Sequence, residues 1–201
     1  MKMADEAKTG KKIVAIASST GGPKALQVLM PLLPSNLNAP IMIVQHMPAG
    51  FNEALAGRLD TLCALSVKEA AEGDVLKTGC VYLGRGGRHM KAARSGTKMT
   101  IHYTDDQPRE GVRPCANYMY ESLADCDYDE VICVVMTGMG ADGTAGIKYL
   151  KEKKKITVYV QDEASCAVYG MPKCIMKADL SGVEMPLEQI AKEIIKNVGV
   201  N

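Results

Sequence analysis

Residues 12–26, KIVAIASSTGGPKAL, constrain the fold more than any other stretch. The unbroken apolar run at 13–17 has the pattern of a parallel strand buried on both faces. Ser18, Ser19, Thr20, Gly21 and Gly22 then make a small-residue turn. Pro23 suits the first turn of a helix, where its missing N–H has no helical partner to lose. Strand, turn and helix in that order place the turn at the carboxyl edge of an open α/β sheet, where such sheets bind ligands. A serine there lies near the free N–H groups of a helix start. Ser19 is therefore a candidate nucleophile, although a serine in such a turn is more often a helix cap.

The rest of the chain repeats the unit. The spacing predicts a helix over 24–33, a strand over 41–44 and a helix over 50–62 with Phe51, Leu55, Leu59 and Leu62 on one side. Residues 67–81 read as short extended pieces around Gly73-Asp74, a hairpin-type dipeptide. A strand at 81–83, a flexible turn at 84–87 and a β-hairpin from 90–93 and 98–103 about Ser95-Gly96 follow. Residues 115–126 have helical character. VICVVM at 131–136 is the most apolar strand and is expected in the middle of the sheet. Helices over 144–152, from Gly170 onward and over 187–198 complete the set, with a further strand at 156–160; Leu187, Ile190, Ile194 and Val198 share a face of the last helix. Alternating strands and helices imply a single α/β domain: a doubly wound, mostly parallel sheet with helices on both faces and a small antiparallel hairpin. Residues 1–11 read as a flexible leader and 12–201 as the domain.

Composition removes several functions. A formal net charge of +1 over 201 residues gives no electrostatic reason to bind nucleic acid or a membrane surface. No apolar run approaches bilayer length, and the leader lacks the apolar core of a signal peptide. The seven cysteines are odd in number and contain no C-x-x-C pair, which reads as buried free thiols in a reducing cytoplasm. The three histidines show no metal-ligand spacing, so neither a metal nor an organic cofactor is expected. The glycine loop at 138–143 lacks both nucleotide-binding patterns.

Three strand ends carry reactive groups. Ser19 follows the first strand, His46 the second, and Asp142 lies in the loop TGMGADG after the apolar strand 131–136. On one parallel sheet all three project from the same edge. A serine hydroxyl needs a base to act as a nucleophile, a histidine can take and return that proton, and an aspartate can hold the imidazole in one tautomer. Asp142 could instead merely cap the following helix. Ser18 is assigned to turn packing or capping and Thr20 to capping. His89 is placed on the surface or rim and His102 in solvent. Asp162 and Glu163 read as structural hydrogen-bonding groups of their loop. A non-catalytic module holding an anion at helix N-termini is the alternative from another class.

The segments SSTGGP, QHMPAGF, GGRHM, VRP, MTGMGADG and QDEASCAVYGMP, in this order, resemble the catalytic domain of the chemotaxis protein-glutamate methylesterases, the CheB family. The resemblance implies Ser19 as nucleophile, His46 as base, Asp142 as the third member and the Met139 backbone N–H as an oxyanion donor. It implies hydrolysis of glutamate γ-methyl esters on the signalling helices of methyl-accepting chemotaxis receptors, with deamidation of receptor glutamines at the same site. Thr20, Arg88 and Arg113 are expected along the substrate rim, the two arginines as partners of acidic receptor side chains or as ordinary surface charges. Family members usually carry a receiver domain, for which the residues before the first strand are too few; such a domain is a second expected partner. Cys115 and Asn117 stand where the family usually has Ser and Asp, and Arg85 where it has Pro; all three are read as rim positions.

Overall fold

A computed structural model describes residues 10–201, so most of the expected leader lies outside the described residues. Seven strands form one parallel sheet: β1 (Lys12–Ser18), β2 (Ile41–Gln45), β3 (Ser66–Glu69), β4 (Cys80–Leu83), β7 (Glu130–Val135), β8 (Lys155–Gln161) and β9 (Gly182–Met185). Their spatial order is β3-β4-β2-β1-β7-β8-β9, and β5 (His89–Ser95) pairs antiparallel with β6 (Lys98–Thr104) as a separate hairpin.

The unbroken run in β1 has a direct cause, because β1 is the middle strand and both its faces are covered. Val14 and Ile16 join one core with α1 (Gly22–Leu29), α2 (Asn52–Leu62) and α6 (Leu187–Val198). Ile13, Ala15 and Ala17 join the other with α3 (Ala116–Ser122), α4 (Thr144–Lys153), α5 (Met171–Lys177) and the hairpin. A fully buried Val or Ile side chain is worth roughly 1.5–3 kcal/mol, so either face alone would leave half of β1 unpaid. The helices after β1 and β2 pack on one face, and those after β7 and β8 on the other. The topological switch therefore falls between β1 and β7, and the crevice outside their carboxyl ends is the expected ligand position.

Several local expectations are corrected. Gly73-Asp74 does turn, with Gly73 at φ 78° and Asp74 Oδ2 accepting the Ala71 N–H at 2.8 Å. It does not join a hairpin, because β3 and β4 are parallel. The connection instead runs along β6: Gly73 and Leu76 donate to Ile101 and Met99 carbonyls, and Ile101 donates to Asp74. That pairing is long-range and invisible to a dipeptide signal. The hairpin turn is Gly96-Thr97, one residue on, since Ser95 pairs with Lys98. On α2 the buried face is Asn52, Leu55, Ala56 and Leu59, while Phe51 and Leu62 are exposed. Strand β9 escaped the reading because a four-residue edge strand, with its two middle residues exposed and neither end fully buried, shows no apolar alternation. All seven cysteines are free; Cys115, Cys126 and Cys133 are buried and the other four half-buried.

Candidate active site

The register levels the three strand ends that matter. Ser18 pairs with Gln45 and Ala17 with Val135, so the loops beginning at Ser19, His46 and Met136 leave the sheet at one height. Ser19 and His46 each follow directly after the paired Ser18 and Gln45, on neighbouring strands that lie about 4.8 Å apart. The His46 N–H donates to the Ser18 carbonyl at 3.0 Å.

Gln45 ties these two residues together. Its Nε2 donates to the carbonyls of Ser19 (2.9 Å) and His46 (3.0 Å), and its Oε1 accepts from Ser18 Oγ at 2.6 Å. Ser18 is thus held by hydrogen bonding to Gln45, and makes no cap. The sequence reading passed over Gln45; the available signal was one amide closing an otherwise apolar strand. Gly22 admits the Gln45 side chain, since a Cβ there would stand 1.9 Å from Oε1.

The nucleophile candidate is fixed from several sides. The Ser19 N–H donates to the Thr137 carbonyl at 2.9 Å, and the Ser19 carbonyl also accepts from the Gly22 N–H at 2.8 Å. Gly138 packs directly on it: a Cβ at 138 would lie 2.7 Å from Ser19 Cβ. The Ser19 side chain is half-buried, and its Oγ has no hydrogen-bond partner among the described residues. Thr20 is exposed and does not cap α1, whose N-cap is Gly21 at φ 83° without a side-chain cap bond. A left-handed Gly occupies the position where the capping hydroxyl would have to sit.

His46 and Asp142 meet. Nε2 of His46 lies 2.7 Å from Asp142 Oδ2, with Asp142 almost wholly buried. This contact places the ring proton on Nε2 and leaves the Nδ1 lone pair without a partner among the described residues. Asp142 does not cap α4. Its carboxylate faces the start of α3, where Oδ2 also accepts the Ala116 N–H (2.6 Å) and Oδ1 accepts the Asn117 N–H (2.9 Å) and Cys115 Sγ–H (3.0 Å). Burial pushes the Asp142 pKa up, but the bonds from His46, Cys115 and Ala116 outweigh it and hold the group below its ordinary value. Asn117 completes the exchange: its Oδ1 accepts the N–H groups of Gly143 (3.0 Å) and Gly146 (2.7 Å) at the start of α4. The two helix starts thereby cap one another, and Gly146 lets them close, since a Cβ there would come within 2.7 Å of the Asn117 backbone.

Cys115 and Asn117 are consequently not rim residues, being buried behind Asp142. His89 is also corrected: it is fully buried, not on the surface or rim. Its Nδ1 accepts the Cys115 N–H at 3.2 Å and its Nε2 faces the Gln107 carbonyl at 3.2 Å. Burial drives its pKa below the ordinary value against the opposing pull of the Gln107 carbonyl, which suits the neutral ring that accepting the Cys115 N–H needs. His102 is exposed and pairs with Glu72. Asp162 Oδ1 accepts the Ser165 N–H, a structural role.

Met139 is 73% exposed beside the crevice. The backbone N–H groups of Met139 and Thr20 have no partner among the described residues. Arg88 forms a two-pronged pair with Asp105 (2.8 and 3.1 Å), while exposed Arg113 reaches, among the described residues, only the Asp106 carbonyl, at 3.5 Å. Exposed Arg85 pairs with Glu69 at 2.9 Å. These arginines flank the loop after His46, because Gly86 packs on the backbone of Pro48 and Ala49 and the Gly87 N–H donates to the Arg113 carbonyl. No cluster of three or more metal-type side chains occurs among the described residues, and no described helix is long and apolar enough to cross a membrane.

Fold and site together define a doubly wound α/β domain with a serine, a histidine and a buried aspartate gathered at its switch point. The sequence model of the CheB methylesterase family matches residues 14–194, and the chain belongs to that family. It is 44% identical over 186 residues to the protein-glutamate methylesterase/protein-glutamine glutaminase of Halalkalibacterium halodurans, covering 92% of this chain and 54% of that protein. Against the protein of the same description from Geobacillus kaustophilus it is 42% identical, covering 96% of this chain and 55% of the relative. The chain therefore spans about half the length of the curated relatives it matches. The crystal structure of the Thermotoga maritima CheB methylesterase catalytic domain superposes with a TM-score of 0.89 at 38% identity, covering 92% of this chain and 98% of that one.

Proposed function

We propose that this chain is the catalytic domain of a serine esterase that hydrolyses glutamate γ-methyl esters on methyl-accepting chemotaxis receptors, releasing glutamate and methanol, and that it deamidates receptor glutamines at the same site. The observation that carries this reading is the 2.7 Å His46–Asp142 contact one strand away from Ser19, in a chain of the CheB family.

In this reading Ser19 Oγ attacks the ester carbonyl as its proton passes to His46 Nδ1. Asp142 holds the ring through Nε2 and stabilises the imidazolium. The Met139 N–H, joined by that of Thr20, receives the oxyanion; one such donor is worth about 10²–10³ in rate. The imidazolium returns its proton to the departing methoxide, which leaves as methanol, or to the side-chain amide nitrogen of a glutamine, which leaves as ammonia. Water then attacks the acyl-enzyme with His46 again as base, restoring Ser19 and leaving the glutamate carboxylate. Every group used belongs to the chain, so the reaction calls for no cofactor.

Thr20, Arg88 and Arg113 form the substrate rim in this proposal. Arg113, with its weak 3.5 Å contact, is the better placed of the two arginines to meet an acidic receptor side chain. The domain is taken as 12–201, its setting as cytoplasmic, and its second partner as a receiver domain, in keeping with relatives about twice its length. Methanol release from methylated receptor tests the proposal. Wild-type protein should release methanol and take a covalent label from a serine-directed inhibitor, and Ser19→Ala should do neither. A Ser19→Ala protein that keeps its label and its turnover ends the reading.

A further inference from the structure

Asp142 is buried, and each of its carboxylate oxygens accepts two hydrogen bonds. A carboxylate has about four acceptor sites, so all are used. Two are filled by backbone N–H groups at the start of α3 and one by His46 Nε2. The fourth donor is the thiol of Cys115, 3.0 Å from Oδ1, and it is the only one of the four that a side-chain substitution outside the histidine can remove.

We infer that Cys115 is a positioning residue that sets the basicity of His46 through Asp142. The argument rests on the quality of this donor. A thiol donates weakly, so Oδ1 keeps more negative charge than it would beside a hydroxyl. That charge is what Nε2–H of the imidazolium feels across the 2.7 Å contact with Oδ2. Cys115 cannot drift from its place. It is fully buried, and its own N–H is taken by His89 Nδ1 at 3.2 Å, whose other nitrogen is engaged by the Gln107 carbonyl. The thiol also keeps its proton at working pH, since burial first and the Asp142 charge second push it up to about 12. A buried His89, a thiol donor, a carboxylate and the base thus form one continuous chain from the β5 start to the crevice.

The inference builds on the catalytic reading of Ser19, His46 and Asp142, and its test separates the two. The ring titration of His46 is followed by NMR in the full chain without substrate, its signal assigned by its loss in His46→Gln. The acid limb of kcat/KM for methanol release is measured alongside. Removing the donor in Cys115→Ala leaves the carboxylate more negative, so the imidazolium gains stability. The His46 titration and the acid limb should both rise, by about half a pH unit, and kcat should fall about threefold to tenfold with KM little changed. Cys115→Ser restores a donor and should return the titration to the wild-type value or below it. Cys115→Val, which fills the site without donating, should behave like Cys115→Ala and replaces it should the cavity unfold the protein. An unmoved His46 titration in Cys115→Ala or Cys115→Val, or a Cys115→Ser protein indistinguishable from them, overturns the inference. Because the titration needs no turnover, it decides the role of Cys115 even where Ser19→Ala remains active and the catalytic reading fails.

Discussion

Gly138 offers the sharpest test of how the chain sites its serine. An alanine Cβ there would lie 2.4 Å from Met171 Sδ, 2.7 Å from Ser19 Cβ and 3.1 Å from Ser19 N. Methionine is flexible enough to swing its sulfur aside. Ser19 is not, because its N–H is bound to Thr137 and its carbonyl to Gln45 and Gly22. Comfortable carbon–carbon contact begins near roughly 3.5 Å, so Ser19 and residue 138 must separate by about 0.8–1 Å. A misplacement of about 1 Å at a reacting group costs on the order of 10² in rate, or about 2.7 kcal/mol of barrier. Gly138→Ala should therefore lower kcat/KM for methanol release roughly 30- to 100-fold. Overpacking should also cost about 1–3 kcal/mol of stability, which at roughly 2–4 °C per kcal/mol is a fall of several degrees in Tm. Gly96→Ala supplies the control: it strains a residue at φ 61° at the hairpin tip with nothing within 4 Å. It should lose about 1 kcal/mol of stability and keep full turnover. A folded Gly138→Ala protein within about twofold of wild-type turnover would refute this placement of Ser19.

Two further expectations concern the supports of the fold. Glu130 is buried at the start of β7 beside Lys12 (3.2 Å), Lys155 (3.0 Å) and Thr157. Although burial alone would raise its pKa, the bonds from Thr157, Lys155 and Lys12 hold it at about 2, against an ordinary 4.5. A depressed carboxylate stabilises the fold above its unfolded pKa, and that contribution fades as pH falls from about 4.5 toward 2. Allowing for the solvent exposure of Lys155, it is worth about 2 kcal/mol; urea midpoints of Glu130→Gln should sit lower at pH 7 and converge on wild type near pH 2. Asn117→Ala leaves the Gly143 and Gly146 N–H groups without their shared acceptor, and should cost about 1–3 kcal/mol in denaturant unfolding together with a measurable loss of turnover, since Asp142 sits in the same pair of helix starts.

Much of the architecture was legible in one dimension because its causes are local. A strand buried on both faces must be continuously apolar, and 13–17, 41–44 and 131–136 are. Pro23 and the glycines of two turns mark helix starts by backbone sterics alone. Alternation of strands with helices then implies a parallel sheet whose loops share an edge, which is why Ser19, His46 and Asp142 could be named together. Their order along the chain says nothing of distance; the level register of β1, β2 and β7 supplies that.

What tertiary structure alone decided is where polar groups find partners once water is gone. His89, Cys115 and Asn117 read as rim residues because each is polar or sits in a polar stretch, yet all three are buried. They can be buried because the fold supplies most of their partners: Asp142, far along the chain, accepts from Cys115 and Asn117, the start of α4 donates to Asn117 Oδ1, and His89 sits between the Cys115 N–H and the Gln107 carbonyl, with Asn117 Nδ2 left unpaired among the described residues. Gln45 became a clamp for the same reason, and the Gly73-Asp74 turn led to a long-range partner in β6 in place of a neighbour. Apolar burial announces itself as a pattern repeated every two or four residues. A buried polar contact is made between single residues at arbitrary separation, and nothing short of the folded chain reveals it.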